Sequence, residues 1–330
     1  MKALVYTAPQ TLTYQDMPDP VPAVGDALLR IESAGICGSD MHAFLGHDDR
    51  RPAPLILGHE VCGTVLSGTT IGQRVTVNPL VTCGKCAACT SGRDNLCPDR
   101  QIISMQPREG GFANFLSMPE RNLVAVPDAI TSDQAALAEP IACGWHAVRL
   151  GEAMLANTSG ARGLVIGGGP IGLGAALSLK AQGIDDVLII EPNGERRAFL
   201  EEHCNQTTAA PDALGSERQF ELVIDGVGIE ASRAQASAHA TPGGVIVHIG
   251  LGSASGGLDV RRLTLQEITF LGTYTYTAQD FRDTAAAMFA GQLGSLDWTR
   301  TWPLADGQAA FEALRAGSVA QPKIVLKPND

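Results

Sequence analysis

The stretch Leu164-Val165-Ile166-Gly167-Gly168-Gly169-Pro170-Ile171-Gly172 decides how the second half of this chain folds. An apolar run leads into a G-x-G-x-x-G turn, and a segment with helical texture follows. Gly167 permits a tight turn, Gly169 lets the backbone approach a pyrophosphate, and Gly172 lets the helix pack closely on the strand. The helix would present free N–H groups and the positive end of its dipole here. The stretch therefore predicts a strand–turn–helix unit that binds a dinucleotide.

The residues around this turn indicate which dinucleotide is bound. Pro170 and Ile171 open the helix and are counted among the expected cofactor contacts. Glu191 ends the next apolar run, where its carboxylate can accept hydrogen bonds from the ribose hydroxyls and would repel a 2′-phosphate. We therefore predict NAD. Arg196, also an expected contact, and Arg197 keep NADP open, because arginines after the acid can accommodate a phosphate.

Outward from the turn, the pattern of apolar segments predicts the architecture. Apolar runs alternate with helical segments through residues 147–297, which predicts a doubly wound parallel sheet, an α/β Rossmann domain. Residues 1–146 contain short β-branched runs broken by glycine and proline, which predicts an irregular, β-rich domain. A helix and a final strand in residues 298–330 are expected to return to that first domain.

Four cysteines occur within fifteen residues of the first domain, in the pattern C-x2-C-x2-C-x7-C. Cysteines three apart in a turn can point their sulfurs at one centre, and four thiolates complete the tetrahedron that zinc prefers. No position is left for water, so this pattern predicts a closed, structural zinc site. The alternative is a set of incidental thiols. The proposed ligands are Cys83, Cys86, Cys89 and Cys97.

A second set of metal-binding residues is spread over the first domain. Cys37 and the pair His59-Glu60 are candidate zinc ligands, with Glu60 or the more distant Glu139 completing the set. Each residue also has an ordinary alternative, because a single cysteine is often buried packing and a His-Glu pair is often a hydrogen-bonded turn. Spacing alone does not decide between these interpretations.

Composition excludes several classes of function. The net charge of −11 argues against nucleic-acid binding, since the phosphates would be repelled. No stretch combines the length and hydrophobicity of a signal peptide or a membrane span. We therefore expect a cytoplasmic protein, in which the eight cysteines serve as metal ligands or thiols rather than as disulfides.

Together, the G-H-E motif, the cysteine pattern and the glycine turn resemble the zinc-containing medium-chain dehydrogenase/reductase family over nearly the whole chain. The resemblance implies a GroES-like catalytic domain and a Rossmann domain, with one catalytic and one structural zinc per chain. By this resemblance Cys37 and His59 bind the catalytic zinc. The third family position matches Glu139 instead of cysteine, which is similar to the sorbitol, threonine and butanediol dehydrogenase branch. Whether Glu60 or Glu139 binds the zinc directly stays open.

The resemblance also implies roles around the catalytic zinc. Ser39 is similar to the hydroxyl that begins a proton relay, His42 to the base at its solvent end, and Asp40 to the acid that orients the ligand histidine. Phe44 and residues 45–51 are expected to line the substrate pocket.

For the cofactor, the resemblance implies contacts in the second half of the chain. Gly250, Leu251 and Tyr274 match positions near the nicotinamide, and Lys323 a basic position near the pyrophosphate. The alternative for these four residues is ordinary packing at the end of the sheet.

The function implied is hydride transfer from a secondary alcohol, a polyol or sugar derivative, to NAD, with zinc acting as a Lewis acid. Relatives of this kind form dimers or tetramers, so a homo-oligomer is expected. An amino-alcohol such as threonine, or a diol, is the nearest alternative substrate. A zinc-stabilised nucleotide-binding protein without catalytic activity is the alternative from a different class.

Overall fold

The structure is a computed structural model that describes residues 1–215 and 217–329. By its internal contacts the chain divides into two compact units. Unit 1 comprises Met1–Glu139, Thr277–Phe289 and Thr299–Asp330, and unit 2 comprises Pro140–Tyr276 and Ala290–Trp298. Within the described residues, no helix is both long and apolar enough to cross a membrane.

The first part of unit 1 is built from short strands and three short helices. The helices are α1 (Gly38–Phe44), α2 (Ala87–Thr90) and α3 (Ser132–Ala136). The strands are β1 (Lys2–Ala8), β2 (Thr11–Asp16), β3 (Asp26–Gly35), β4 (Leu55–Ile56), β5 (Glu60–Ser67), β6 (Arg74–Val77), β7 (Leu80–Val81), β8 (Gln101–Ile102), β9 (Phe115–Pro119) and β10 (Leu123–Ala125).

Unit 2 alternates strands with helices, as its apolar runs predicted. The strands are β11 (Arg162–Ile166), β12 (Asp186–Ile190), β13 (Thr207–Ala209), β14 (Phe220–Asp225), β15 (Ala240–His248) and β16 (Thr269–Gly272). The helices, the first of which begins in unit 1, are α4 (Ala138–Glu152), α5 (Pro170–Ala181), α6 (Gly194–Cys204), α7 (Glu230–His239) and α8 (Val260–Leu265).

These strands form one sheet in the order β13-β12-β11-β14-β15-β16, and every neighbouring pair is parallel. The order reverses between β11 and β14. This is the point at which open α/β sheets bind ligands, outside the carboxyl ends of the strands. The predicted Rossmann architecture is therefore confirmed.

The last elements of the chain are α9 (Ala278–Phe289), β17 (Thr299–Pro303), α10 (Gly307–Arg315) and β18 (Lys323–Lys327). Strand β18 pairs antiparallel with β3, which places it within the seven-stranded sheet of unit 1. Helix α4 runs across the first of the predicted domain limits. The limits at residues 146 and 297 remain a prediction.

The core of unit 1 forms around three aromatic side chains. Phe44 and Phe311 have ring centroids 5.1 Å apart, and Phe112 packs edge-on against Phe311. Phe44 is 1% exposed. The expectation that Phe44 lines the substrate pocket is therefore wrong. The residue lies on α1, whose inner face covers the core.

Candidate active site

The strand pairing of unit 1 brings the predicted metal ligands together. Gly35, at the end of β3, pairs with Glu60, at the start of β5. Cys37 follows as the residue that precedes α1, and His59 precedes β5. One ligand atom each from Cys37, His59 and Glu60 lies within 4.8 Å of the others. A thiol, an imidazole and a carboxylate at this spacing form a ligand set suited to zinc.

The carboxylate of Glu60 is fully buried and is hydrogen-bonded on one side only. Its Oε1 accepts a hydrogen bond from Lys323 Nζ at 2.6 Å. Its Oε2 has no hydrogen-bond partner within the described part of the chain. Buried polar atoms normally have partners, so this oxygen fits the role of a metal ligand.

Lys323 was expected near a pyrophosphate, but the structure gives its ammonium other partners. The group is 1% exposed in β18 and donates to Glu60 Oε1 and to Ile36 O at 2.8 Å. Burial acts to lower the pKa of Lys323, but the negative charges of Glu60, Cys37 and Glu139 outweigh it and raise this pKa.

Glu139, the alternative carboxylate, lies at the start of α4 and is 6% exposed. Among the described residues, the group of closely spaced ligand atoms contains Glu60 and does not contain Glu139. The structure therefore brings Glu60, rather than Glu139, to Cys37 and His59.

Asp40 connects the two segments that carry these ligands. Its Oδ2 accepts from the backbone N–H of Cys37 at 3.0 Å, and its Oδ1 accepts from that of Gly58 at 3.2 Å. Oδ1 also lies 3.4 Å from Nδ1 of His59. Burial acts to lower the pKa of His59, but the charges of Asp40 and Cys37 raise it well above its usual value. The same negative environment would stabilise a divalent cation.

The predicted relay residues lie on or near α1. The hydroxyl of Ser39 is 3.4 Å from Nε2 of His59, on the ring edge opposite Asp40. Arg51, which is 3% exposed, places a guanidinium nitrogen 3.5 Å from the same hydroxyl. His42 is exposed to solvent on α1. This placement is compatible with a path for a proton from Ser39 to water.

The four cysteines of the second predicted site also lie together. Their sulfurs are within 4.8 Å of one another, with Cys86 Sγ 3.5 Å from Cys89 Sγ. The backbone N–H groups of Lys85 and Cys86 lower the pKa of Cys83 to about 6. This shift favours the thiolate, the form that binds metal. Cys97, fully buried, closes the set.

In unit 2 the glycine turn has the geometry that a pyrophosphate site requires. Gly167 follows β11 with φ of +100°, a conformation that favours glycine. A Cβ on Gly172 would lie 1.8 Å from the carbonyl oxygen of Gly167, so only glycine permits this contact between helix and turn. Pro170 and Ile171 begin α5. A Cβ on Gly169 would meet no atom within 4 Å, which leaves room for a phosphate at the helix N-terminus.

Glu191 follows β12 beside this turn. Its two carboxylate oxygens accept from the backbone N–H groups of Gly168 and Asn193, both at 2.8 Å. Arg196 lies in the first turn of α6, where burial lowers its pKa and the nearby charge of Glu191 opposes that shift. A carboxylate fixed at this place can accept hydrogen bonds from ribose hydroxyls.

The remaining predicted cofactor contacts follow the carboxyl ends of β15 and β16. Gly250 donates to Asp225 O at 3.1 Å, and the side chain of Leu251 is 72% exposed. Tyr274 lies two residues beyond β16. All three are on the edge of the sheet at which a dinucleotide would bind.

Two residues near these sites were not predicted, and a third has a contact that was not predicted. Ser104 lies beside His59, and Arg233 is buried beneath the loop after β15. Arg51 was expected only as part of the pocket segment 45–51, and its contact with Ser39 was not foreseen. No sequence motif marks any of them, since each depends on contacts between segments far apart in the chain.

Comparisons with known proteins agree with this geometry. The family descriptions "Alcohol dehydrogenase GroES-like domain" and "Zinc-binding dehydrogenase" match residues 23–128 and 170–290. L-galactonate-5-dehydrogenase of Escherichia coli (strain K12) is 32% identical, covering 94% of each chain. Sorbitol dehydrogenase of Ovis aries is 30% identical, covering 99% of this chain and 97% of that protein.

The crystal structure of 2R,3R-butanediol dehydrogenase from Bacillus subtilis superposes with a TM-score of 0.87, at 25% identity and 99% coverage of both chains. Both units are covered by these comparisons, that is, by the two family descriptions, the two relatives and the superposed structure. The chain belongs to the zinc-binding alcohol dehydrogenase family and is an oxidoreductase.

Proposed function

We propose that this enzyme transfers a hydride from the carbinol carbon of a polyol or sugar derivative to NAD and releases the ketone. The observation that carries the proposal is the group formed by Cys37, His59 and Glu60, in which one buried carboxylate oxygen is without a partner among the described residues. The relatives named for galactonate and sorbitol support a substrate with several hydroxyl groups.

The charges of the ligand set suit zinc. The thiolate of Cys37 and the carboxylate of Glu60 would neutralise a dication, and Asp40 would orient the neutral ring of His59. Bound zinc would act as a Lewis acid toward the substrate oxygen. Cys83, Cys86, Cys89 and Cys97 would hold a second zinc in a closed site.

Residues near the metal ligands would remove the proton, and residues of unit 2 would bind the cofactor. As the hydrogen leaves the carbinol carbon with the C–H bonding electrons and passes to NAD as hydride, Ser39 would accept the hydroxyl proton and pass it toward His42 and solvent. In unit 2 the N-terminus of α5 would bind the pyrophosphate, with Gly167, Gly169, Pro170, Ile171 and Gly172 forming the turn. Glu191 would accept from the ribose, and Arg196, Gly250, Leu251 and Tyr274 would complete the contacts.

The proposal is tested by zinc counting together with NADH formation from sorbitol, xylitol, galactonate, butanediol and threonine. We expect two zincs per chain and turnover of a polyol or aldonate. Cys37→Ala should lose one zinc and reduce turnover about a thousandfold, a loss of several kcal/mol of transition-state stabilisation. Cys204→Ala, a matched change in α6 of unit 2, should alter neither. Undiminished turnover by Cys37→Ala would contradict the proposal.

We also infer that the chain forms a homo-oligomer and is cytoplasmic. Strand β16 lies at the edge of its sheet and carries Phe270, which is 38% exposed. Nearby in sequence, Val260 and Leu265 are 64% and 71% exposed. An apolar sheet edge of this kind supports pairing with a second copy. None of the eight cysteines, all of which lie in the described part of the chain, forms a disulfide, which supports a reducing compartment.

A further inference from the structure

Ser104 occupies a backbone conformation that serine rarely adopts. It lies two residues beyond β8, is fully buried, and has φ of +66°. This left-handed region is unfavourable for a residue with a Cβ, and glycine occupies it without that strain. A serine here calls for a role for its hydroxyl.

The hydroxyl of Ser104 faces Nδ1 of His59, the ring nitrogen that also faces Asp40. Ser104 Oγ lies 3.2 Å from His59 Nδ1, and Asp40 Oδ1 lies 3.4 Å from the same nitrogen. The carboxylate of Asp40 can only accept, so Nδ1 carries the hydrogen and shares it between the two oxygens. In the neutral ring that binds a metal, Nε2 then offers its lone pair, on the side where Ser39 lies.

Arg51 holds the backbone of Ser104 in place. Its Nε donates to the carbonyl oxygen of Ser104 at 3.0 Å, while another of its nitrogens lies 2.5 Å from the carboxylate of Asp48. Arg51 and Ser104 are both buried. Because Ser104 is fixed by its own carbonyl, the position of its hydroxyl does not depend on the hydrogen bond to His59.

We propose that Ser104 is a positioning residue for His59: it provides a second acceptor for Nδ1–H and thereby orients the ring so that Nε2 faces the metal. The inference rests on the proposed function, because it requires that His59 binds zinc. Removing such an outer partner of a metal-bound histidine typically lowers metal affinity 10–100-fold.

Two substitutions distinguish the effect of the Ser104 hydroxyl from the effect of its strained backbone. Ser104→Ala removes the hydroxyl and keeps the strain, whereas Ser104→Gly removes both. In competition with a chelator, both variants should release the zinc of this site at a chelator concentration at least about tenfold lower than the native protein requires. The Nδ1–H proton resonance of His59 in the zinc-loaded protein should shift in both. Ser104→Gly should be no less stable than the native protein.

Glu267→Gly, at another non-glycine position with positive φ (+52°), is the matched control and should leave zinc affinity unchanged. If Ser104→Gly binds zinc as tightly as the native protein and leaves the His59 resonance in place, Ser104 has only a backbone role and the inference is overturned. Failure of the proposed function would be recognised separately, as fewer than two zincs in the native protein.

Discussion

The ion pair between Lys323 and Glu60 determines the charge balance around the candidate catalytic metal. Both groups are at most 1% exposed, and they are 2.6 Å apart. Such a pair adds little net stability, but either charge becomes costly when its partner is removed. Lys323 therefore supplies the compensating charge for the Glu60 carboxylate in the core beside Cys37 and His59.

In the zinc-free protein, Lys323→Met should lower the free energy of unfolding of unit 1 by about 3–5 kcal/mol, since Glu60 would be left as an unpaired buried charge. Urea unfolding measures this loss, with hydrogen exchange to assign the transition to unit 1. The double variant Lys323→Met/Glu60→Gln is the control and should recover most of the loss. Equal stability of the single variant and the native protein would show that the pair is not coupled.

The contrast between Glu60 and Lys323 indicates how far a sequence predicts a site. Cys37, His59 and Glu60 could be predicted as candidate ligands because the short motifs that contain them resemble those of a known family, although spacing alone decided neither their role nor the choice between Glu60 and Glu139. Lys323 reaches Glu60 across a separation of 263 residues, through the pairing of β18 with β3. Contacts of that kind depend on sheet register, which a single sequence does not determine.

At the scale of elements, Arg233 connects α7 to the loop that follows β15. Its nitrogens donate to the carbonyl oxygens of Gly228 and Ser253, both at 3.0 Å, and of Ser255 and Gly256. A further bond reaches the hydroxyl of Ser253 at 2.9 Å. Arg233 is 6% exposed, so it uses a buried guanidinium to hold the loop that begins at Gly250 and Leu251.

Arg233→Met should lower NAD affinity about tenfold, because losing one or two net hydrogen bonds corresponds to about 1.4 kcal/mol and lets the loop move. A calorimetric titration with NAD measures the change in affinity. Arg233→Lys should be intermediate, since lysine cannot reproduce the planar set of donors. Zinc content should not change in either variant. Unchanged affinity in Arg233→Met would mean that the loop keeps its shape without the arginine.

Among the elements, the parallel strands of unit 2 were the most predictable. The apolar run 186–190 coincides with β12, and the run 222–225 lies within β14, because a strand covered on both faces is apolar throughout. Helix α4 was not predicted where it occurs, and a domain limit was placed inside it. It is rich in small and apolar residues and contains Pro140 and two glycines, so its sequence gives only a weak helical signal.

At the scale of the whole molecule, β16 is one of the two edge strands of the unit 2 sheet, and it is the edge at which we expect copies to associate. Strand β16 pairs with β15 on one side and ends the order of strands, with Phe270 and Gly272 exposed. An exposed edge strand without lysine or proline readily pairs with another strand. In this chain β16 contains neither, and its sequence is Thr-Phe-Leu-Gly.

Phe270→Lys should therefore lower the mass of the native particle, by removing an apolar contact and placing like charges opposite each other at a symmetric edge. We expect light scattering to show a native oligomer that the variant halves in mass or converts to monomer, with the zinc content retained. Ile71→Lys, at a residue 69% exposed in unit 1, is the matched control and should leave the mass unchanged. A variant that keeps the full native mass would exclude β16 as the interface, and a native protein that is already monomeric would exclude association altogether.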